Sequence, residues 1–224
     1  MNSERHFARH NRKTALALAL AIGILTLTTG GCGKKEGQPA HANHPVVNGT
    51  FPMAEPALSN AVIAGNIAEI QKIIDAGTDI NAKDALDRTP LHLAAFYGQT
   101  KIIALLVANG AEIDAKDHTG LTPLHAAVIS GGRQSVQLLL DRQADLQARN
   151  EEGQTALHLA AATGQPKLTK LLIERGAELQ KKDFDGKTPV YYAKKNYHPQ
   201  TTAVLEQAAR KTSPAPGAAA AASK

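Results

Sequence analysis

The chain contains few of the residues that carry cross-links and catalysis. Among 224 residues it has one cysteine, no tryptophan, four phenylalanines and four tyrosines. A single cysteine excludes an internal disulfide. The sequence has no phosphate-binding glycine loop and no recognisable Ser-His-Asp pattern, and His41 with His44 supply too few ligands for a metal. We therefore predict a protein without catalysis, without a cofactor, without a metal and without a small-molecule substrate.

What the chain does contain is a repeated string of seven residues. Thr-Pro-Leu-His-Leu-Ala-Ala begins at Thr89, and related strings begin at Thr122, Thr155 and Thr188, each 33 residues after the last. A fixed period of this length indicates that each unit is one supersecondary element whose apolar face is covered by the next copy. The units are therefore predicted to stack.

The period of 33 and the Thr-Pro-Leu-His-x-Ala signature resemble those of the ankyrin repeat family. Gly98, Gly131 and Gly164 recur in step, and counting back 33 from Leu91 reaches Leu58, which opens a degenerate first copy. The resemblance implies an all-α fold, an ankyrin repeat solenoid of about five helix-turn-helix units with hairpin loops, over residues 55–211.

Local sequence signals predict the helices of each unit independently of the family resemblance. Thr89 is placed to cap a helix, Pro90 suits its first position, and Gly98 can end it, which predicts a helix from Pro90 to Tyr97. A second apolar stretch ends at Gly110. Residues at equivalent positions are predicted to form the core: Ile73, Leu106, Leu139, Leu172 and, in the first helices, Leu58, Leu91, Leu124, Leu157 and Val190.

The two ends of the stack are predicted to differ from its middle. The end copies are predicted to be polar caps, and the last helix is predicted to run near Pro199 to Lys211. Residues 212–224 are predicted to form a disordered tail.

The N-terminus carries a second pattern. Residues 1–13 hold four basic residues and one acidic one, residues 14–27 are uncharged and apolar, and two threonines and two glycines follow. We interpret residues 1–31 as a secretory signal peptide. A permanent transmembrane helix is the alternative, but fourteen helical residues span only about 21 Å of a roughly 30 Å hydrocarbon core.

Cys32 follows this segment directly, and its position resembles the lipobox of bacterial lipoproteins, in which the cysteine is lipidated. Gly30 and Gly31 match the resemblance, whereas Thr29 stands where that family usually has leucine. A free thiol in a soluble periplasmic protein is the alternative. Residues 32–54 are then a lipidated N-terminus and a flexible tether. Gly33 favours the outer membrane over the inner one, because the residue that retains such lipoproteins in the inner membrane is usually aspartate.

The charge balance gives little attraction to nucleic acid. The formal net charge of +5 falls to +2 once residues 1–31, with four basic residues and one acidic, are removed. Export also argues against contact with nucleic acid. We predict none.

The resemblance also implies where a protein partner would bind, namely the hairpin tips and the exposed face of the first helices. His92, His125 and His158 are expected to bond to neighbouring backbone instead of forming a site. An apolar patch of Phe96, Tyr97, Leu86, Leu121 and Ile129, rimmed by basic residues, is the predicted hot spot. The predicted partner-binding residues are Lys83, Leu86, Arg88, Phe96, Tyr97, Lys116, His118, Leu121, Ile129, Arg149, Lys182 and Phe184.

These patterns predict a non-catalytic, protein-binding scaffold that is lipid-anchored in the periplasm and recognises a bacterial envelope protein. Two alternatives remain open from the sequence. The first is an inhibitor or immunity factor for a periplasmic enzyme or toxin, and the second is a metal or cofactor chaperone for a periplasmic enzyme.

Overall fold

The structure, a computed structural model, describes residues 57–212, which form ten α-helices arranged as five successive pairs. No strand occurs among these residues, and none of their helices is long and apolar enough to cross a membrane. Cys32 and the predicted signal peptide, tether and tail lie outside the described residues, apart from Thr212. The helices are α1 Ala57–Ile63, α2 Ile67–Asp75, α3 Pro90–Phe96, α4 Thr100–Ala108, α5 Pro123–Ser130, α6 Arg133–Asp141, α7 Ala156–Ala162, α8 Pro166–Glu174, α9 Pro189–Lys195 and α10 Pro199–Thr212.

The second repeat shows why each first helix begins and ends where it does. Thr89 is extended at the N-cap and Pro90 occupies the first helical turn, where its missing N–H costs nothing. Helix α3 ends at Phe96 with Tyr97 as its C-cap, and Gly98 follows with a φ of 72°. The predicted helix from Pro90 to Tyr97 is therefore confirmed to within one residue.

The predicted core is confirmed in the middle of the stack. Leu91, Leu124 and Leu157 are buried in the first helices, and Leu106, Leu139 and Leu172 are buried in the second helices. Ala94, Ala127 and Ala160 are fully covered where neighbouring helices approach each other. Successive repeats therefore share one continuous apolar core.

In the terminal repeats the core prediction is confirmed for Leu58, which is fully buried, and was wrong for Ile73 and Val190. Ile73 and Val190 are only partly buried, although both pack against the core. Each belongs to a terminal repeat, which has a neighbour on one side only. A terminal position thus allows partial exposure without imposing it, since Leu58 and Leu205 are buried in the same two repeats.

Three residues other than glycine occupy left-handed backbone positions that other copies fill with glycine. They are Asp87, Gln143 and Tyr197, with φ values of 58°, 69° and 58°. Position 143 corresponds to Gly110 and Gly176, whose φ values are 91° and 92°. A side chain is disfavoured at such φ values because its Cβ crowds the backbone, at a cost of roughly 1–2 kcal/mol.

Substituting Gln143 by glycine should therefore stabilise the protein, by about 1 kcal/mol after allowing for the greater freedom of the unfolded chain. Urea unfolding measures the change. Gly176→Ala is the matched control, since an added Cβ there would meet nothing within 4 Å and its effect reports backbone strain alone. It should lose about as much as Gln143→Gly gains. A neutral or destabilising Gln143→Gly would show that the glutamine side chain makes a compensating contact.

Candidate functional site

The histidine of each signature string is used to hold the fold. In the second repeat, Nδ1 of His92 accepts a hydrogen bond from the backbone N–H of Thr89 at 3.1 Å, so the proton is on Nε2. Nε2 donates to the carbonyl of Leu121, in the next repeat, at 3.0 Å. His158 repeats this arrangement with Thr155 at 3.1 Å and with Lys187 at 3.2 Å. The predicted structural role of these histidines is confirmed.

Burial keeps these three rings neutral near pH 7. It lowers the pKa of His125 to about 4, and it also lowers the pKa values of His92 and His158. A neutral ring is what the bond from the threonine N–H requires in all three repeats, because the Nδ1 lone pair must remain available as an acceptor. Protonation would break the bond to threonine.

The hairpin tips, residues 83–88, 116–121, 149–154 and 182–187, are closed by an aspartate or asparagine. Oδ1 of Asp117 accepts hydrogen bonds from the backbone N–H groups of Thr119 and Leu121, at 2.8 and 2.9 Å. Asp84 does the same for Leu86 and Arg88. A side chain that bonds the backbone two residues ahead fixes a tight turn. The tips are therefore defined turns with two or more bonds each.

A second set of hydrogen bonds joins each tip to the next one. Nζ of Lys83 donates to the carbonyl of Lys116 at 3.2 Å, and Nζ of Lys116 donates to the carbonyl of Arg149 at 3.0 Å. Arg149 continues the series through Nη2 to the carbonyl of Lys182, at 2.6 Å. The structure thus brings together the basic residues predicted to rim the patch, Lys83, Lys116 and Arg149, and each of these side chains bridges successive tips.

Further hydrogen bonds also hold the hairpin tips and join each tip to its neighbour. The N–H and Nδ1 of His118 both donate to the carbonyl of Leu86, at 3.1 and 2.9 Å. One repeat later, the N–H of Glu151 donates to the carbonyl of Thr119 at 3.0 Å. Arg88 bonds within its own turn, with Nε 2.6 Å from Oδ2 of Asp84. The four tips therefore present a connected surface.

Phe184 is the most exposed apolar side chain at the tips, with 69% of its surface accessible. The guanidinium of Arg149 lies 4.8 Å from the centre of its ring, within cation–π distance. Gly153 makes room beneath it, because an added Cβ at that position would approach the ring to 2.8 Å. Phe184 is thus held in place while one face stays open to solvent.

The structure divides the predicted apolar patch into two groups. Leu86 and Leu121 are half-buried at the hairpin tips. Phe96, Tyr97 and Ile129 lie at the opposite ends of the first helices, where Tyr97 is exposed and the other two are half-buried. A seven-residue helix separates the groups by about 10 Å. In α3 the residues from Pro90 to Ala95 are all buried, so no exposed helix face joins the groups.

The last repeat contains a network that the sequence analysis missed. The hydroxyl of Tyr192 donates to Oδ2 of Asp183 at 2.5 Å and accepts from Nε2 of Gln154 at 3.1 Å. Burial and the bond to Asp183 raise the pKa of Tyr192, so the hydroxyl remains a donor. The signal that could have revealed it is a tyrosine at the position of Leu93 and Leu159. The network ties the fourth hairpin tip to the third tip and to α9.

The described residues contain no group of three or more histidine, cysteine, aspartate or glutamate side chains that could hold a metal ion. The polar groups that do cluster, at the tips, bond to backbone and, at Asp84 and Asp183, also to other side chains. The chemistry of this surface is therefore that of hydrogen bonding, charge and apolar contact.

Comparison with protein families matches two models to the chain. A model of ankyrin repeats in three copies matches residues 58–150, and a model of ankyrin repeats in many copies matches residues 138–193. Together they span residues 58–193. No curated protein matched the chain. Proteins built from such repeats are typically protein-binding scaffolds without catalysis of their own.

Proposed function

We propose that this chain, which belongs to the ankyrin repeat family, is a non-catalytic scaffold that is tethered on the periplasmic side of a membrane and binds a protein of the bacterial envelope. Its contact surface is formed by the hairpin tips, and Phe96, Tyr97 and Ile129, at the other ends of the first helices, are tested separately. The single observation that carries the proposal is the connected row of tips.

A connected row of turns favours binding because the tips are already ordered, so they lose little conformational entropy when a partner docks. Each tip is closed by its own aspartate or asparagine and joined to the next tip through Lys83, Lys116 or Arg149. An exposed aromatic ring that is already held in place, as Phe184 is, resembles the anchors that dominate protein interfaces. The surface is thus preorganised.

Replacing Phe184 by alanine should weaken capture of the partner from detergent-solubilised envelope extracts at least tenfold, in the range of an interface anchor. The unfolding free energy should stay within about 1 kcal/mol of wild type, because the ring is mostly exposed. Ile67→Ala removes an exposed apolar side chain far from the tips and serves as the control. The double variant Phe96→Ala with Tyr97→Ala tests the second group. Full capture by Phe184→Ala would exclude the tips as the partner surface.

Tethering is supported by the N-terminal sequence, which joins a basic start, a short apolar run and a solitary cysteine. A lipid on Cys32 would leave no free thiol in an oxidising compartment. A flexible tether of about twenty residues, the length predicted here, would have a root-mean-square reach of roughly 25 Å. That length lets the repeats reach a partner near the membrane.

If Cys32 carries the lipid, Cys32→Ser should move the protein from the membrane fraction to the soluble periplasm, or leave it as an uncleaved precursor of higher mass. Cell fractionation followed by mass measurement of the intact chain distinguishes these forms. Cys32→Ala should behave identically, since it also lacks the thiol. Membrane association of a processed Cys32→Ser protein equal to that of wild type would contradict the lipid anchor.

A further inference from the structure

Four large apolar side chains are exposed at the short turns between the paired helices, on the side of the array opposite the hairpin tips. We call the five segments 63–68, 96–101, 129–134, 162–167 and 195–200 the turn edge. The exposed fractions of Ile63, Ile67, Tyr97 and Tyr197 are 41, 44, 52 and 89%. Among the described residues, only Phe184 of the other large apolar side chains is comparably exposed.

Hydrogen bonds join the fourth and fifth segments of the turn edge to the repeat that precedes each of them. Nε2 of Gln165 donates to the carbonyl of Val128 at 2.9 Å, and Nδ2 of Asn196 donates to the carbonyl of Ala162 at 2.7 Å. Neighbouring helices pack about 8–10 Å apart, so five turns in succession, with four spacings between them, form a line of roughly 32–40 Å. The exposed side chains are thus distributed along one continuous edge.

The turn edge is basic, whereas the opposite side of the array is acidic. Its five segments contain four basic residues and no acidic one. Lys101, Arg133 and Lys167 are all exposed there. Glu69 follows the first segment directly in the sequence, and Glu206 pairs with Lys194 at 2.7 Å. The hairpin segments 75–89, 108–122, 141–155 and 174–188 contain fifteen acidic and nine basic residues.

Tyr197 is held in this edge at a cost in backbone energy. Its φ is 58°, at a position that is glycine in the four preceding copies. With 89% of its surface exposed, the ring gains little from packing within the array. A strained backbone at a residue whose side chain packs little within the protein is typical of residues that contact a ligand or another surface.

We propose that the turn edge rests on an anionic membrane surface, with the hairpin tips directed away from it. The exposed side chains of Lys101, Arg133 and Lys167 are attracted to anionic headgroups, and the net negative hairpin segments are repelled, so the array is oriented. Tyrosine and isoleucine suit the boundary between headgroups and acyl chains. This contact needs neither the lipid on Cys32 nor the protein partner, and it goes beyond both.

The arrangement favours a membrane over a second protein surface. Ile63 and Ile67 belong to the first repeat, Tyr97 to the second and Tyr197 to the fifth. Protein interfaces concentrate their energy in a packed central cluster, and Tyr197, three turns beyond Tyr97, lies too far from the other three side chains to join one. A bilayer interface presents the same chemistry along the whole line, so separated side chains can all insert at once.

The test is co-sedimentation of the full chain with vesicles of phosphatidylcholine and phosphatidylglycerol at 3:1, and with pure phosphatidylcholine vesicles as a neutral reference. Wild type should bind the anionic vesicles more tightly, and the difference should shrink as salt is added. The triple variant Lys101→Glu, Arg133→Glu and Lys167→Glu should lose about tenfold or more of the anionic preference. A matched triple, Lys72→Glu, Arg142→Glu and Lys211→Glu, changes the net charge equally at exposed sites away from the turns and should lose far less.

Tyr197→Gly gives a second readout that misfolding cannot imitate. It should raise the urea midpoint by relieving the left-handed strain, yet weaken anionic vesicle binding severalfold. Equal losses in the two triple variants, or binding that ignores phosphatidylglycerol, would overturn the proposal. Loss of partner capture with unchanged vesicle binding in the turn-edge triple would make this edge a protein surface. Because vesicle binding is measured without the partner, either function can fail alone.

Discussion

Replacing Leu139 by alanine should lower the free energy of unfolding by about 2–5 kcal/mol, through lost burial and the cavity left behind. Leu139 lies in α6 of the third repeat and is completely buried. The third repeat has neighbours on both sides, and stability in a stacked array is shared between neighbours. The loss should therefore spread to the adjoining repeats. Urea unfolding followed by circular dichroism measures it.

Ile73→Ala is the matched control, because Ile73 occupies the equivalent column in the first repeat and is only partly buried. Its loss should be less than half that of Leu139→Ala, since less apolar surface leaves contact with the protein. A loss as large as that of Leu139→Ala would mean that chain outside residues 57–212 covers Ile73. The comparison therefore measures how sharply the array ends.

Lowering the pH from 7.5 to 4 should destabilise the protein through its buried histidines. The folded-state pKa of His125 is about 4, below the ordinary value of 6.5. The unfolded chain therefore takes up the proton first, and the stabilisation present above pH 6.5 is lost as the pH falls towards 4. For His125 alone the loss is about 3 kcal/mol at pH 4. His92 and His158 are shifted in the same direction and add to it.

The measurement is urea unfolding at half-unit steps between pH 7.5 and 4, compared between wild type and His125→Gln. The variant should be less stable at pH 7.5, because it loses the ring and its bonds to Thr122. It should also show a pH-dependent loss smaller by about 3 kcal/mol. Carboxylates, including Asp114 whose pKa burial raises, contribute equally to both proteins and cancel. Identical pH dependence in the two proteins would show that His125 is not the titrating group.

The repeat architecture was predictable from the sequence because its signals are local. Thr89, Pro90 and Gly98 each act on the backbone within a few residues, and a period of 33 repeats the same instructions along the chain. The pairing of His92 with Thr89 is also local, three residues apart. Such features need no knowledge of distant contacts, so the helices, the core columns and the role of the histidines followed from the residues.

The composition of the surface was only partly predictable. Sequence reasoning placed Lys83, Lys116 and Arg149 in one row, but it could not show that each side chain donates to the next tip. It also joined Leu121 to Ile129 in one patch. Whether side chains at the two ends of a buried helix form one surface depends on how much of that helix the neighbouring repeats cover.

By itself the sequence determined the period, the helix boundaries and which columns are apolar, since these depend on spacing and on backbone preferences of single residues. Only the tertiary structure decided that Ile73 and Val190 are partly exposed, that Tyr192 bonds Asp183 and Gln154, and that basic and apolar residues from separate repeats share the turn edge. The physical reason is that burial, hydrogen bonding between repeats and the charge of a surface belong to pairs and rows of residues. Those rows exist only once the repeats are stacked.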